Sequence, residues 1–170
     1  ISFNSQNVMK RAYTLDENEE YIFNDYWVYR EQIKNIYIKN DLIDIPTFEY
    51  EFDVSEKQNE RVKVYLVKNE LDSKYYDAYL MADGIIYFNS YASRYFQDMI
   101  YLDNIENIEG VDTSNVVKMF AMFKNAGYNS EVFTLDSSSF NTSKVNDMRS
   151  MFANTGYSSL AFELDVSNFD

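Results

Sequence analysis

The sequence predicts an α+β chain, with an antiparallel β-rich N-terminal cap followed by a short α/β solenoid built around a narrow parallel sheet. Three observations predict it. The stretch "TSNVVKMFAMFKNAGY" at 113–128 is echoed by "TSKVNDMRSMFANTGY" at 142–157. The echo runs on, because Phe133, Leu135, Asp136, Ser138 and Phe140 recur as Phe162, Leu164, Asp165, Ser167 and Phe169, at an offset of 29 residues. Self-similarity at a fixed period marks units that bury their apolar faces against their neighbours. Residues 1–90 show instead the two-residue alternation of strands.

The elements can be justified in chain order. "SQNVMKRAY" at 5–13 reads as a short leading helix, with Ser5 as cap and Val8 and Ala12 on one face. "IKNIYI" at 33–38 and "TFEYEFDV" at 47–54 alternate as strands, and Pro46 punctuates the approach to the second. "RVKVYLV" at 61–67 and "YDAYLM" at 76–81 are strand-like, joined through polar residues 69–74. Asp83-Gly84 signals a tight hairpin into "IIYF" at 85–88. Residues 1–90 therefore read as a meander that covers the open end of the array behind it.

The array divides into a degenerate copy at 91–111 and full copies at 112–140 and 141–170. In the worn copy Tyr95-Phe96 stands for Met122-Phe123 and Val111 for Phe140, with Leu102, Ile105 and Ile108 in a shorter connection. Thr113-Ser114 and Thr142-Ser143 offer hydroxyl caps for a helix start. Val116, Met119 and Phe123 fall at helical spacing, as do Val145, Met148 and Phe152. Asn125 with Gly127, and Asn154 with Gly156, read as helix stops, since glycine accepts the left-handed conformation. Beyond them "EVFTLDSSSF" and "LAFELDVSNF" alternate like strands. Phe133 and Leu135 point inward while Thr134 and Asp136 point outward; Phe162 and Leu164, then Glu163 and Asp165, repeat that arrangement. A further copy would be due after Asp170, so the natural chain is expected to continue with more copies.

The pattern formed by Asp112 to Val116, Met119, Met122-Phe123, Leu135-Asp136, Ser138 and Phe140, with its counterparts up to Phe169, resembles the BspA-like surface-protein repeats. These are a branch of the leucine-rich-repeat proteins found on bacteria and in mycoplasma lipoproteins. The β-rich stretch at 52–90 looks like the leader that precedes such arrays. The resemblance implies a leucine-rich-repeat-like architecture and an extracellular or cell-surface location, with any export signal and anchor outside this piece. It does not name a ligand, because such repeats are a scaffold for many partners. Ser137 departs from the pattern by standing where an apolar strand residue is usual.

Methionines and aromatics at helical spacing are first of all gap-filling core residues. A metal box of thioethers without histidine or cysteine beside them is a poor alternative. A net charge of −13 over 170 residues argues against nucleic acid and against docking on anionic membranes. No apolar run is long enough to span a bilayer. Zero cysteines exclude a disulfide framework.

Catalysis is not expected. Without histidine or cysteine the commonest general base and the strongest nucleophile are missing. Carboxylate pairs can run a glycosidase, but Asp136 and Asp165 recur as a ladder and not as a single pair. Calcium is not called for either, because no "DxDxDG" loop occurs. No cofactor and no metal are expected. The 16 tyrosines and 13 phenylalanines are core first, although Tyr26-Trp27, Tyr75-Tyr76 and Tyr128 also suit an interface.

The expected function is a non-enzymatic binding or adhesion module, meeting a protein or glycan on a host cell, matrix or neighbouring bacterium. The alternatives are a passive stalk or pilin-like element and, more distantly, a glycoside hydrolase. The expected binding residues are Thr134, Asp136, Glu163 and Asp165, stacked on the sheet side of the array.

Overall fold

A computed structural model describes residues 7–169. Among the described residues nine strands carry the regular structure: β1 (Tyr13–Leu15), β2 (Tyr21–Phe23), β3 (Ile33–Lys39), β4 (Tyr50–Asp53), β5 (Val62–Lys68), β6 (Tyr76–Ala82), β7 (Ile86–Tyr87), β8 (Asn104–Glu106) and β9 (Val111–Asp112). A 3-10 helix at Asp25–Gln32 joins the β1–β2 hairpin to β3, and a second at Ile108–Gly110 precedes β9.

The main sheet has five strands in the order β4-β5-β6-β3-β8. Its three longest strands are rich in β-branched and aromatic residues, which fit a half-buried pleated surface. Ile36 and Ile38, Val62, Val64 and Leu66, and Ala78 and Leu80 are all buried. Across the opposite face Tyr65, Tyr79 and Tyr37 stand in register on β5, β6 and β3. The expected antiparallel order holds for β4, β5 and β6. It fails at β3, which inserts parallel between β6 and β8. The turn at Asp83-Gly84 is not a hairpin: Gly84 (φ 97°) donates its amide to the Asn40 carbonyl, and β7 pairs in parallel with β9. The leading helix also fails to form. Val8 and Met9 bridge to Tyr87 and Ser55, while the expected cap, Ser5, lies outside the described residues.

The fold class expected from the sequence is corrected here. The molecule is mostly β; no α-helix occurs among the described residues, and neither a helix-bearing solenoid nor a narrow parallel sheet of repeat strands forms. Val116, Met119 and Phe123 lie on consecutive tight turns. Their backbone is left-handed at every fourth residue, at Arg94 and Asp98 (φ 65° and 61°), Ala121 and Asn125 (50° and 60°), and Ser150 and Asn154 (both 57°). An α-helix cannot contain such residues. Their amides alternate between two acceptors. Met122 and Lys124 donate three residues back, to Met119 and Ala121, whereas Met119, Ala121, Phe123 and Asn125 donate to Asp147, Arg149, Met151 and Ala153 in the next copy. The same division links Ala92, Arg94, Phe96 and Asp98 to Lys118, Phe120, Met122 and Lys124. Half the amides thus leave the local chain, and helix gives way to a ladder of turns.

The expected hydroxyl caps serve this ladder too. Thr113 Oγ1 accepts from the Asn141 amide at 2.8 Å, tying one copy to the next, while Asp112 and Asn141 close the local turns onto Ser114 and Ser143. The segments at 133–136 and 162–165 alternate inward and outward as expected, with Phe133 buried and Thr134 and Asp136 exposed, but form no ladder. Ser137 is buried because its hydroxyl donates to the Asp165 carbonyl at 2.8 Å, a bond no apolar residue supplies.

One core runs unbroken from Met9 to Met151 and crosses residue 90 without a gap. Phe96, Phe123 and Phe152 stack face to face at 5.1 and 5.7 Å, and Trp27 packs on Tyr95 at 5.5 Å while donating Nε1 to its carbonyl. Met119, Phe123 and Phe140 belong to this core. Leu135, Met148, Phe152 and Phe169 pack against it half-buried, and Leu164 is not part of it.

The two repeat glycines give a test of the packing. Both have φ above +60°, but a Cβ on Gly127 would sit 2.3 Å from Phe133 Cγ, whereas on Gly156 the nearest atom is Phe162 Cγ at 3.1 Å. Gly127→Ala should therefore cost about 2–5 kcal/mol, from left-handed strain plus overpacking. Gly156→Ala, with a half-buried ring able to give way, should cost about 1–2 kcal/mol. Urea unfolding of both variants checks this; equal losses would mean that the Phe133 contact decides nothing.

Candidate functional site

The extended segments of successive copies run side by side, which sets equivalent outward residues next to each other. Thr134, Asp136 and Glu163 line one open depression of about 370 Å³, with Phe133, Leu135 and Ala161 as its floor and wall. Asp165 lies outside this lining but close enough for its charge to act on Asp136. The four residues expected from the sequence thus share one exposed face.

The sequence reading missed what the degenerate copy adds. Asn104 and Ile105 complete the depression, and the Thr134 hydroxyl donates to Asn104 Oδ1 at 3.2 Å. The Thr134 amide donates to the Asp103 carbonyl at 3.0 Å, which fixes this register. A signal was present. "NIE" at 104–106 has the polar, apolar, polar order of "TLD" at 134–136 and "ELD" at 163–165, but the shorter connection of the worn copy broke the period. Glu106, the counterpart of Asp136 in that order, lies on β8 and lines a separate depression with Tyr37 and Tyr79.

Local turns favour the ionised form of Asp136 and Asp165. The Ser138 hydroxyl and amide hold the Asp136 carboxyl below the usual carboxylate range, against the opposing repulsion of Asp165. Ser167 does the same for Asp165. A carboxylate that accepts two such bonds is both negative and fixed in direction. The row can accept hydrogen bonds and attract cations along its length. Among the described residues no group of three or more His, Cys, Asp or Glu could hold a metal ion. No helix among them is long and apolar enough to cross a membrane.

The aromatic clusters separate by role. Tyr26 and Trp27 are buried, whereas Tyr128 and Tyr157, one per copy, stack at 4.8 Å. Tyr75 packs against Tyr101 at 5.1 Å and Tyr76 against Tyr29 at 5.7 Å.

Residues 89–170 match a family model described as "Mycoplasma protein of unknown function, DUF285". The match starts at the boundary where the sequence begins to repeat, so the repeat-bearing part of the chain is similar to that mycoplasma family. The family is compatible with a surface protein, and its description says nothing of adhesion. No curated protein and no solved structure matches the chain.

Proposed function

We propose that the chain is a non-enzymatic binding module of a bacterial surface protein, exposed outside the cell, whose repeats offer an acidic face to a protein or glycan partner. The observation that carries this reading is the row of exposed carboxylates, two of which, Asp136 and Asp165, are held by local turns. Thr134, Asp136 and Glu163 open into one depression, and Asp165 continues the row in the next copy. The similarity of residues 89–170 to a mycoplasma family supports the bacterial setting, and the residues at 112–169 support the finer reading of the copies as BspA-like repeats. A partner rich in basic or hydroxyl groups fits such a face better than an apolar one.

Replacing Asp136, Glu163 and Asp165 together by lysine tests the proposal. Exposed substitutions usually shift stability by less than about 0.5 kcal/mol each, so the variant should melt close to the parent. Its binding to host cells or matrix in a solid-phase assay should be abolished or redirected. A well-folded variant that binds as the parent does would sink the acidic face as the functional surface.

A further inference from the structure

A second surface has the opposite character. An open groove of about 580 Å³ lies between the β1–β2 hairpin and the turn ladder and is lined by Arg11, Tyr13, Tyr91, Lys118, Phe120 and Arg149 among others. Acids outnumber Lys and Arg by 28 to 15 over the whole chain. Yet only one acid, Asp147, lines this groove, and Arg149 already holds it through Nε at 3.1 Å and Nη2 at 3.0 Å. Arg11 and Lys118 form no ion pair among the described residues.

Aromatic rings set the cations in place. The Arg11 guanidinium lies 4.1 Å from the Tyr91 ring centre and that of Arg149 lies 5.3 Å from Phe120. Behind them Arg94 is clamped 3.9 Å from Tyr21 and 4.6 Å from Phe120. Its Nη1 donates to Gln97 Oε1 at 2.6 Å, but its Nε is buried with no acceptor. A half-buried guanidinium with no carboxylate partner projects its charge outward, since there is no counter-ion to cancel it. The turn ladder supplies the spacing. Tyr91, Lys118 and Asp147 are bridged in parallel, so one outward residue per copy faces the groove.

We propose that this groove binds an acidic glycan, with the sugar carboxylates meeting Arg11 and Lys118 and a sugar ring face lying on Tyr91. Tyr91 keeps 40% of its surface exposed despite the guanidinium over it. Guanidinium and ammonium groups give the carboxylate charge-assisted bonds, the stronger class of hydrogen bond. A pocket volume between roughly 300 and 1,000 Å³, walled by rings with a few polar groups, suits a compact ligand. A uronate-type sugar carries a carboxylate and an apolar C–H face in one rigid unit, which matches cations set beside rings. An acidic peptide carries its carboxylates on flexible stems and has no use for the exposed ring.

The experiment titrates the full chain with a uronic-acid oligosaccharide, with the same oligosaccharide reduced at its carboxyl groups, and with poly-glutamate. The uronate should bind, weakening as salt rises because exposed charges are screened. The reduced sugar and poly-glutamate should bind at least about tenfold more weakly, the loss of one charge-assisted contact. Arg11→Gln and Lys118→Gln should each weaken uronate binding by about tenfold, while Lys144→Gln, outside the groove, should not. Both groove side chains reach solvent, so matching melting curves exclude misfolding. The proposal is overturned if the reduced sugar binds equally, if poly-glutamate binds as well or better, or if both variants bind as the parent does. The triple lysine variant of the acidic face should leave uronate binding in place, so failure of one surface is distinguishable from failure of the other.

Discussion

Phe123→Ala should lower the stability of the protein by about 3–5 kcal/mol, the range for a deep aromatic truncation that leaves a cavity. The ring is completely buried and lies between Phe96 at 5.1 Å and Phe152 at 5.7 Å, with Phe140 at 6.1 Å. Removing it empties the middle of the stack and leaves two rings without a face to pack on. Phe152→Ala, on the half-buried outer copy, should cost clearly less. Thermal and urea unfolding measured side by side decide the matter; if both variants melted with the parent, copy-on-copy stacking would be wrong.

The fragment 91–170 should fail to fold cooperatively. Its β8 pairs in parallel with β3, and the Asp103 amide donates to the Lys34 carbonyl at 2.8 Å, so a sheet bond would be lost with the first half. Tyr95, Leu102 and Ile105, all buried, would lose the Trp27 side of their packing or the main sheet. An apolar layer of this size exposed to water favours aggregation over a stable fold. Differential scanning calorimetry on the fragment reads the result. A sharp transition with a soluble product would show that the two halves fold independently.

Strand positions were legible because alternation reports burial one residue at a time. Lys63, Tyr79 and Tyr37 mark the outer face of β5, β6 and β3 while their neighbours are apolar. Partner choice was not legible. Nothing in "IKNIYI" says that it will lie parallel to residues 76–82 and to residues 104–106, because parallel pairing depends on distant contacts. The helices were misread for a definable reason. Apolar residues at 119, 122, 123 and 126 satisfy a helical period of 3.6, and equally a chain of four-residue turns. The deciding signal was the left-handed position at Ala121 and Asn125, and alanine gives no hint of it. Of the candidate site, the outward row at 134–136 and 163–165 was legible from alternation alone. The basic groove was not, because Arg11 and Arg149 come from opposite ends of the chain and meet only once the copies are stacked.

The ladder of turns also gives the array a polarity. Along the row at 92–98 and 119–125 the amides that leave one copy point toward the next, and the carbonyls that accept them point back. At the starting end one of the backward carbonyls, that of Tyr95, is closed by the Trp27 indole. At the far end the amides of Met148, Ser150, Phe152 and Asn154, the counterparts of the donors at 119–125, meet no acceptor among the described residues. That row therefore starts in acceptors and ends in amides, although other amides of the array, those of Gly127, Thr134, Asn146 and Gly156, donate the opposite way. Two such rows cannot meet donor end to donor end without opposing unpaired amides. A segment that pairs with the amides of Met148, Ser150, Phe152 and Asn154 must present carbonyls to them.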